Sequence, residues 1–295
     1  MKRRQSEKLL ERYRVTEGTG FRLKDFPADD LGGGLITREA ADPLMAEGVA
    51  RLAAQQLRLY AHGKWALLCV FQGMDASGKD GTIRHVMTGV NPQGVTVTSF
   101  KAPGPEALAH DFLWRIHAAM PERGRIGIFN RSHYEDVLVT RVHPELLDKT
   151  RLPSELRGRK FWQHRLEDIA AYERYLSRQG IVVLKFYLNL SKEEQKRRLL
   201  ARIDRPDKNW KFTSGDLEER QFFSAYHDAF EAAIAATARP HAPWYVVPAD
   251  QKWFTRLVVV EAMVQALTAL DLRDPALPPE EYAKLQAARE KLEAE

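Results

Sequence analysis

Gly73-Met74-Asp75-Ala76-Ser77-Gly78-Lys79-Asp80-Gly81, residues 73–81, decides how the rest of the chain is read. Its spacing is G-x-x-x-x-G-K. A continuous apolar run at 65–71 comes directly before it, and Ile83, Val86, Met87 and Val90, at i, i+3, i+4 and i+7, come directly after. Strand, glycine-rich turn and amphipathic helix in that order make a phosphate cradle, or P-loop. Backbone N–H groups curl around the anion, the helix N-terminus adds partial positive charge, and the lysine reaches the terminal phosphate oxygens. Gly73, Ala76, Ser77, Gly78, Asp80, Gly81 and Thr82 are therefore phosphate- or nucleotide-binding candidates, and Lys79 a catalytic one. Asp80 stands where the pattern usually has a Ser or Thr hydroxyl on Mg²⁺. Metal holding then passes to a carboxylate inside the loop, Asp75.

Working outward, further apolar runs at 95–100, 125–129, 181–188 and 244–247 alternate with helical periodicity. The pattern predicts an α/β fold with a five-stranded parallel sheet and right-handed crossovers. Asp42 as N-cap with Pro43 at the first helical position predicts a helix to about residue 60. Ser191 with Glu194, and Asp216 with Glu219, read as capping boxes of two later helices. Three segments follow: a basic N-terminal arm, 1–40, with Gly32, Gly33 and Gly34 as a joint; the P-loop domain, 41–272; and a charged helical tail, 273–295. Inside the domain, 201–215 is polar, basic and broken by Pro206. It reads as a lid over phosphates that supplies Arg202, Arg205, Lys208 and Lys211, with Trp210 and Phe212 anchoring its far end.

A second polar cluster ends the apolar run at 125–129. In open α/β sheets, ligands gather at the carboxyl ends of strands, so Asn130, Arg131, Glu135 and Asp136 are expected to face the P-loop. Arg131 could clamp phosphoryl oxygens, and Glu135 or Asp136 could share a Mg²⁺ with Asp75. His133 reads as a packing or hydrogen-bonding residue rather than a metal ligand, and Tyr134 as a core residue. A third group, Asn91, Gln93 and Gly94 with Lys101, brackets the short run at 95–100. Phosphoryl transfer needs alignment and charge neutralisation rather than covalent help, which suits Asp75, Lys79, Arg131, Glu135 and Arg202 as the catalytic set.

Bulk properties bound the alternatives. At 295 residues and 44% hydrophobic content the chain can bury a full core. The single cysteine, Cys69, has no partner and lies in an apolar run, as in a reducing compartment. The first residues lack a signal-peptide apolar core, and no run approaches the ~20 apolar residues of a bilayer span, so a cytoplasmic protein with no membrane partner is expected. A net charge of +5 is concentrated at 1–24 and 192–211. Such clusters suit a polyanion and leave a non-catalytic nucleic-acid-binding P-loop protein as one rival. Unless metal is bound, the carboxylates Asp75, Glu135 and Asp136 would repel a nucleic-acid backbone, and they speak against a nucleic-acid partner. An ATP-dependent nucleotide kinase is the other rival.

The strings GMDASGKDGT (73–82), GVNPQG (89–94), SFKAP (99–103), HDFLWR (110–115), PERGRIGIFNRSHYEDVLV (121–139) and RIDRPDKNWKF (202–212) together resemble the polyphosphate kinase 2 family. That resemblance implies a three-layer α/β/α P-loop kinase fold with a helical lid, Mg²⁺ dependence, a basic channel and a homo-oligomer, dimer or tetramer. The implied partners are inorganic polyphosphate and purine nucleotides, with reversible phosphate transfer between them. Asp75 and Lys79 match the family's essential loop positions, 130–136 its Walker B segment, and Arg202 a lid arginine. Glu135 and Asp136 resemble the subgroup that accepts both AMP and ADP. Gly32, Gly33 and Gly34 match no motif.

Overall fold

Every residue of the strand Ala66–Gln72 is buried, as expected of a strand covered by helices on both faces. It is β2 in a computed structural model that describes residues 1–273 and 277–295. In chain order the strands are β1 (Arg14–Val15), β2, β3 (Val95–Ser99), β4 (Ile126–Asn130), β5 (Ile181–Asn189) and β6 (Trp244–Pro248). The helices are α1 (Arg3–Glu11), α2 (Arg38–His62), α3 (Lys79–Val86), α4 (Pro105–Ala109), α5 (Trp114–Ala118) and α6 (Glu135–Val142). After these come α7 (Phe161–Arg178), α8 (Lys192–Ile203), α9 (Ser214–Glu219), α10 (Phe223–Thr237), α11 (Lys252–Thr268) and α12 (Pro279–Glu293).

The sheet order is β1-β6-β5-β2-β4-β3, with β2 to β6 parallel and β1 antiparallel to β6. Side chains alternate between its faces. Leu67, Cys69 and Phe71 of β2 join one core with Leu52 and Leu59 of α2, Ile83 and Val86 of α3, and Leu257 of α11. Leu68 and Val70 join the other with Val137 and Leu138 of α6, Ile169 of α7 and Phe230 of α10. The expected three-layer α/β/α arrangement is present. Because β2 lies between β4 and β5, the loops after β2 and β4 open side by side at the carboxyl edge, where the chain reverses its direction across the sheet.

Four expectations need correction. The sheet has six strands, not five: the basic arm adds β1 through the pairs Arg14↔Tyr245 and Val15↔Trp244, and buries Leu9, Leu10 and Tyr13. Second, α2 starts at Arg38 with Thr37 as N-cap. Asp42 lies inside that helix paired with Arg38 at 3.2 Å, and Pro43 is interior, so the Asp-Pro signal misplaced the start by about one turn. Third, Asp216 is not an N-cap but closes a capping box from the N3 position with Thr213. At Ser191 half of the expected box forms, the hydroxyl accepting from Glu194 N at 3.1 Å, because the Glu194 carboxylate turns to Arg197 and Arg198. Fourth, Trp210 is 76% exposed and donates to Asp207 O rather than anchoring the segment. Among the described residues no helix is long and apolar enough to cross a membrane.

Candidate active site

The P-loop leaves β2 through Gly73 (φ 152°) and enters α3 after Gly78 (φ 98°), conformations that favour glycine. A Cβ at Gly73 would stand 2.7 Å from Ser77 Oγ, so the turn also needs glycine for space. Two non-glycine residues here, Ala76 and Arg131, have φ of 65°. Such strain is held only where surrounding contacts over-determine it, and it gathers at functional sites.

Arg131 follows β4 and reaches across to the P-loop. Its Nη2 donates to Asp75 Oδ1 (3.2 Å) and its Nη1 to Glu135 Oε2 (3.5 Å). Burial works against the guanidinium charge, but Glu135 and Asp75 outweigh it and hold the Arg131 pKa above its ordinary value. Lys79 is 9% exposed and donates to Gly73 O and Met74 O, curled against its own loop. Burial, reinforced by the positive charge of Arg131, lowers its pKa. For Glu135, burial raises the pKa against the pull of Arg131 and Lys79. The Gln72 amide, turned so that its nitrogen donates to Glu135 Oε1 at 2.9 Å, accepts from Ser132 N at 3.1 Å and so fixes both ends of the turn.

Glu135 and Asp136 part company. Asp136 pairs with Arg165 of α7 at 3.6 Å, and burial pushes its pKa up to about 6 against the attraction of Arg165 and Arg115. Among the described residues no group of three or more His, Cys, Asp or Glu side chains is gathered as a metal site. Asp75 and Glu135, both held by Arg131, are the two carboxylates placed together. Asn130 donates to Asp80 Oδ1 at 2.8 Å, joining β4 to α3. Thr82 is buried, its amide bonded to Gly78 O.

Other expected residues lie elsewhere. Asn91, Gln93 and Gly94 form a turn at the amino end of β3, roughly 17 Å of strand from the carboxyl edge. Gly94 is there for packing, since a Cβ would stand 1.7 Å from Gln56 Nε2. Lys101 is exposed beyond β3. In the 201–215 segment, Arg202 pairs with Asp216 at 3.6 Å, Arg205 forks onto Asp207 (2.8 and 3.0 Å) and Lys208 is half-buried. The Lys211 side chain lies outside the described residues.

A cleft of about 190 Å³ opens over Gly73, Asp75, Arg131 and Glu135, roofed by Gln195, Asp216, Glu219 and Tyr226. Of the roof residues, Asp216 and Glu219 carry only a capping signal in the sequence, and Gln195 and Tyr226 belong to no motif. A larger cleft of about 1030 Å³ lies at the amino ends of β5 and β6, away from this chemistry. His133 and Tyr134 are 0% exposed, in the packing role expected of them, but Tyr134 also belongs to a buried polar network. Its hydroxyl donates to Glu173 Oε1 (2.8 Å), and Glu173 Oε2 accepts from Lys185 Nζ (2.5 Å). A Lys in β5 and a Glu in α7 carried no motif, so only their burial inside apolar runs could have pointed to them.

Comparison with known proteins shows the family. Residues 37–275 match the family model described as Polyphosphate kinase 2 (PPK2). The ADP-polyphosphate phosphotransferase of Rhodopseudomonas palustris is 44% identical over 283 residues, 96% of this chain and 98% of that protein. The AMP/ADP-polyphosphate phosphotransferase of Meiothermus ruber is 44% identical over 266 residues, 90% and 96% of the two chains. The crystal structure of polyphosphate kinase 2 from Arthrobacter aurescens superposes with a TM-score of 0.85 at 38% identity, covering 94% of this chain and 95% of that one. A match that starts just before α2 and runs past α11, with such identity over nearly the whole length, makes this chain a member of the polyphosphate kinase 2 family.

Proposed function

We propose that the chain transfers the terminal phosphate of inorganic polyphosphate to nucleoside mono- and diphosphates, AMP to ADP and ADP to ATP, in a Mg²⁺-dependent and reversible reaction. The observation that carries this is the convergence of Lys79, Asp75, Arg131 and Glu135 at the carboxyl ends of β2 and β4, in a chain whose relatives are named for that transfer. In the transfer one P–O anhydride bond breaks as the acceptor phosphate oxygen forms another, so similar bonds are exchanged and the equilibrium is shallow. Alignment and electrostatics suffice for catalysis.

Asp75 and Glu135 offer hard carboxylate oxygens on either side of Arg131, which fits Mg²⁺, an ion commonly held by one or two carboxylates plus substrate phosphates. Bound there, the ion would neutralise charge on phosphate oxygens shared between donor and acceptor. Lys79, released from Gly73 O and Met74 O, binds phosphate. Arg131 orients the moving phosphoryl group, and Arg202 approaches from the 201–215 lid. In this reading Asp136 supports α6 through Arg165 rather than touching substrate. A cytoplasmic homo-oligomer of two or four chains completes the proposal, which light scattering on the purified protein measures directly.

The decisive assay crosses AMP, ADP, GMP and GDP with polyphosphate and Mg²⁺, with ATP as the alternative donor. Polyphosphate-dependent ADP and ATP formation that stops on chelation is expected. Nucleotide phosphorylation only when ATP is supplied would return the protein to the ordinary nucleotide kinases.

A further inference from the structure

A loop that aims its backbone N–H groups at phosphate turns its carbonyls the other way, and buried carbonyls need donors. In 73–77 each has one. Lys79 Nζ serves Gly73 and Met74, Gln195 Nε2 donates to Asp75 O at 3.1 Å, and Arg198 Nη1 donates to Ala76 O at 3.0 Å and Ser77 O at 3.1 Å. Among the described residues, the amides of Asp75, Ala76 and Gly78 donate to no protein acceptor. The loop is thus held from behind, with its donors left for a ligand in front.

Arg198 is 7% exposed and uses its remaining nitrogens on the same support. Its Nη2 donates to Ala249 O (2.6 Å) and Asp250 O (3.2 Å) after β6, and its Nε to Glu194 Oε1 (2.7 Å). A guanidinium can serve this many oxygens in one plane, whereas an ammonium cannot. Gln195 is oriented in turn, its Oε1 accepting from Arg220 Nη1 at 2.9 Å. Gln195, Arg198 and Arg202 fall at i, i+3 and i+7 on α8, which places them on one helix face.

We propose that Gln195 and Arg198 are positioning residues for the phosphate site. They hold the carbonyls of 75–77 outward, keep Ala76 at its positive φ, and tie the shape of the P-loop to the helix that leads into the 201–215 segment. The kinetic part rests on the polyphosphate reading above; the geometric part does not.

The test compares wild type, Arg198→Ala, Arg198→Lys and Gln195→Ala in ADP phosphorylation by polyphosphate, and in calorimetric binding of ADP and of tripolyphosphate separately. Circular dichroism checks folding. Arg198→Ala is expected to lower kcat/KM about 10²-fold, the scale of a small misplacement at a reacting centre, and to weaken binding of both ligands. Arg198→Lys recovers part of the loss. Added guanidinium chloride, compared with sodium chloride at equal concentration, restores part of the Arg198→Ala rate, which a merely structural defect would not allow. Gln195→Ala loses about fivefold, as for one neutral hydrogen bond. A folded Arg198→Ala enzyme within twofold of wild type in rate and binding overturns the proposal. If Arg198→Ala does not fold, Gln195→Ala decides: unchanged rate and affinity overturn the proposal, and the fivefold loss upholds it. Should wild type ignore polyphosphate, the functional reading falls while the binding comparison still settles this one.

Discussion

Glu173→Gln keeps the shape of a side chain that is 1% exposed and removes its charge, which leaves Lys185, 0% exposed, as an uncompensated buried ammonium. All three Lys185 N–H groups are committed: to Glu173 Oε2 at 2.5 Å, Thr237 O at 2.8 Å and the Tyr134 hydroxyl at 3.2 Å. Removing one partner of such a pair costs about 3–5 kcal/mol. Lys185→Met should cost as much, for the mirror-image reason. The double variant buries no charge, so its cost falls short of the sum by about 2 kcal/mol or more. Calorimetric melts should show each single variant lower by roughly 5–8 °C, and urea unfolding gives the coupling energy. Acid narrows the gap. Burial pushes the Glu173 carboxyl up, but the Lys185 ammonium outweighs this and holds its pKa below the ordinary carboxylate value. Its stabilising charge is therefore present above about pH 4.5 and is lost as pH falls through the depressed folded value. Single variants within about 1 kcal/mol of wild type, or costs that simply add, would refute the view that Lys185 and Glu173 are a coupled buried ion pair.

Asp75→Asn and Lys79→Ala should each lower turnover by at least ~10²-fold while the fold survives, as read by steady-state kinetics and circular dichroism. An active Asp75→Asn enzyme with unchanged Mg²⁺ dependence removes Asp75 from the metal site. Arg202→Ala should lower kcat, whereas Lys208→Ala should raise KM for polyphosphate and flatten its salt dependence; kinetics at two ionic strengths separate them. If Arg202→Ala leaves kcat within about twofold, the transition-state role passes to Arg131. Burial raises the Asp136 pKa from 3.8 to about 6, so its contribution to stability is fully present below pH 3.8 and lost as pH rises through 6. Urea unfolding at pH 4 and pH 7 should therefore shift in favour of Asp136→Asn, relative to wild type, by up to about 3 kcal/mol across that window.

What could be read from sequence was what is local. The P-loop sets strand, turn, helix and lysine within a dozen residues, and each buried strand announced itself as an apolar run whose ends moved by only a residue or two. β1 escaped because two residues carry no period and its partner, β6, lies far along the chain. The start of α2 escaped because Pro43 imitates a first-turn proline while lying inside the helix. Gln195 and Arg198 escaped for another reason: the basic stretch 192–211 was read as a total charge, whereas helical phase separates the buried Arg198 from Arg197, whose side chain is 71% exposed. Fixing that phase from Ser191, a true N-cap, puts Gln195, Arg198 and Arg202 on one face and could have shown a shared direction.

Phase also explains why Glu135 and Asp136 cannot act as one unit. Consecutive helical residues point about 100° apart, so the first turn of α6 gives Glu135 to the P-loop and Asp136 to Arg165. Once Asp136 is assigned to α7, two carboxylates, Asp75 and Glu135, face two cations, Lys79 and Arg131, and the floor of the site is electrically balanced. Such a floor cannot by itself attract a polyanion together with a nucleotide phosphate. In the proposed reaction the missing positive charge would come from the Mg²⁺ that Asp75 and Glu135 would hold and from the basic residues above them. Arg205 is already forked onto Asp207, which leaves Arg202 and Lys208 as the described cations of 201–215 best placed to supply it. The Arg202–Asp216 contact is weak enough, at 3.6 Å, to be exchanged for phosphate. If 201–215 closes over the site as proposed, it would join the charge balance of the reaction, and chelating Mg²⁺ and removing Arg202 should each weaken the same step.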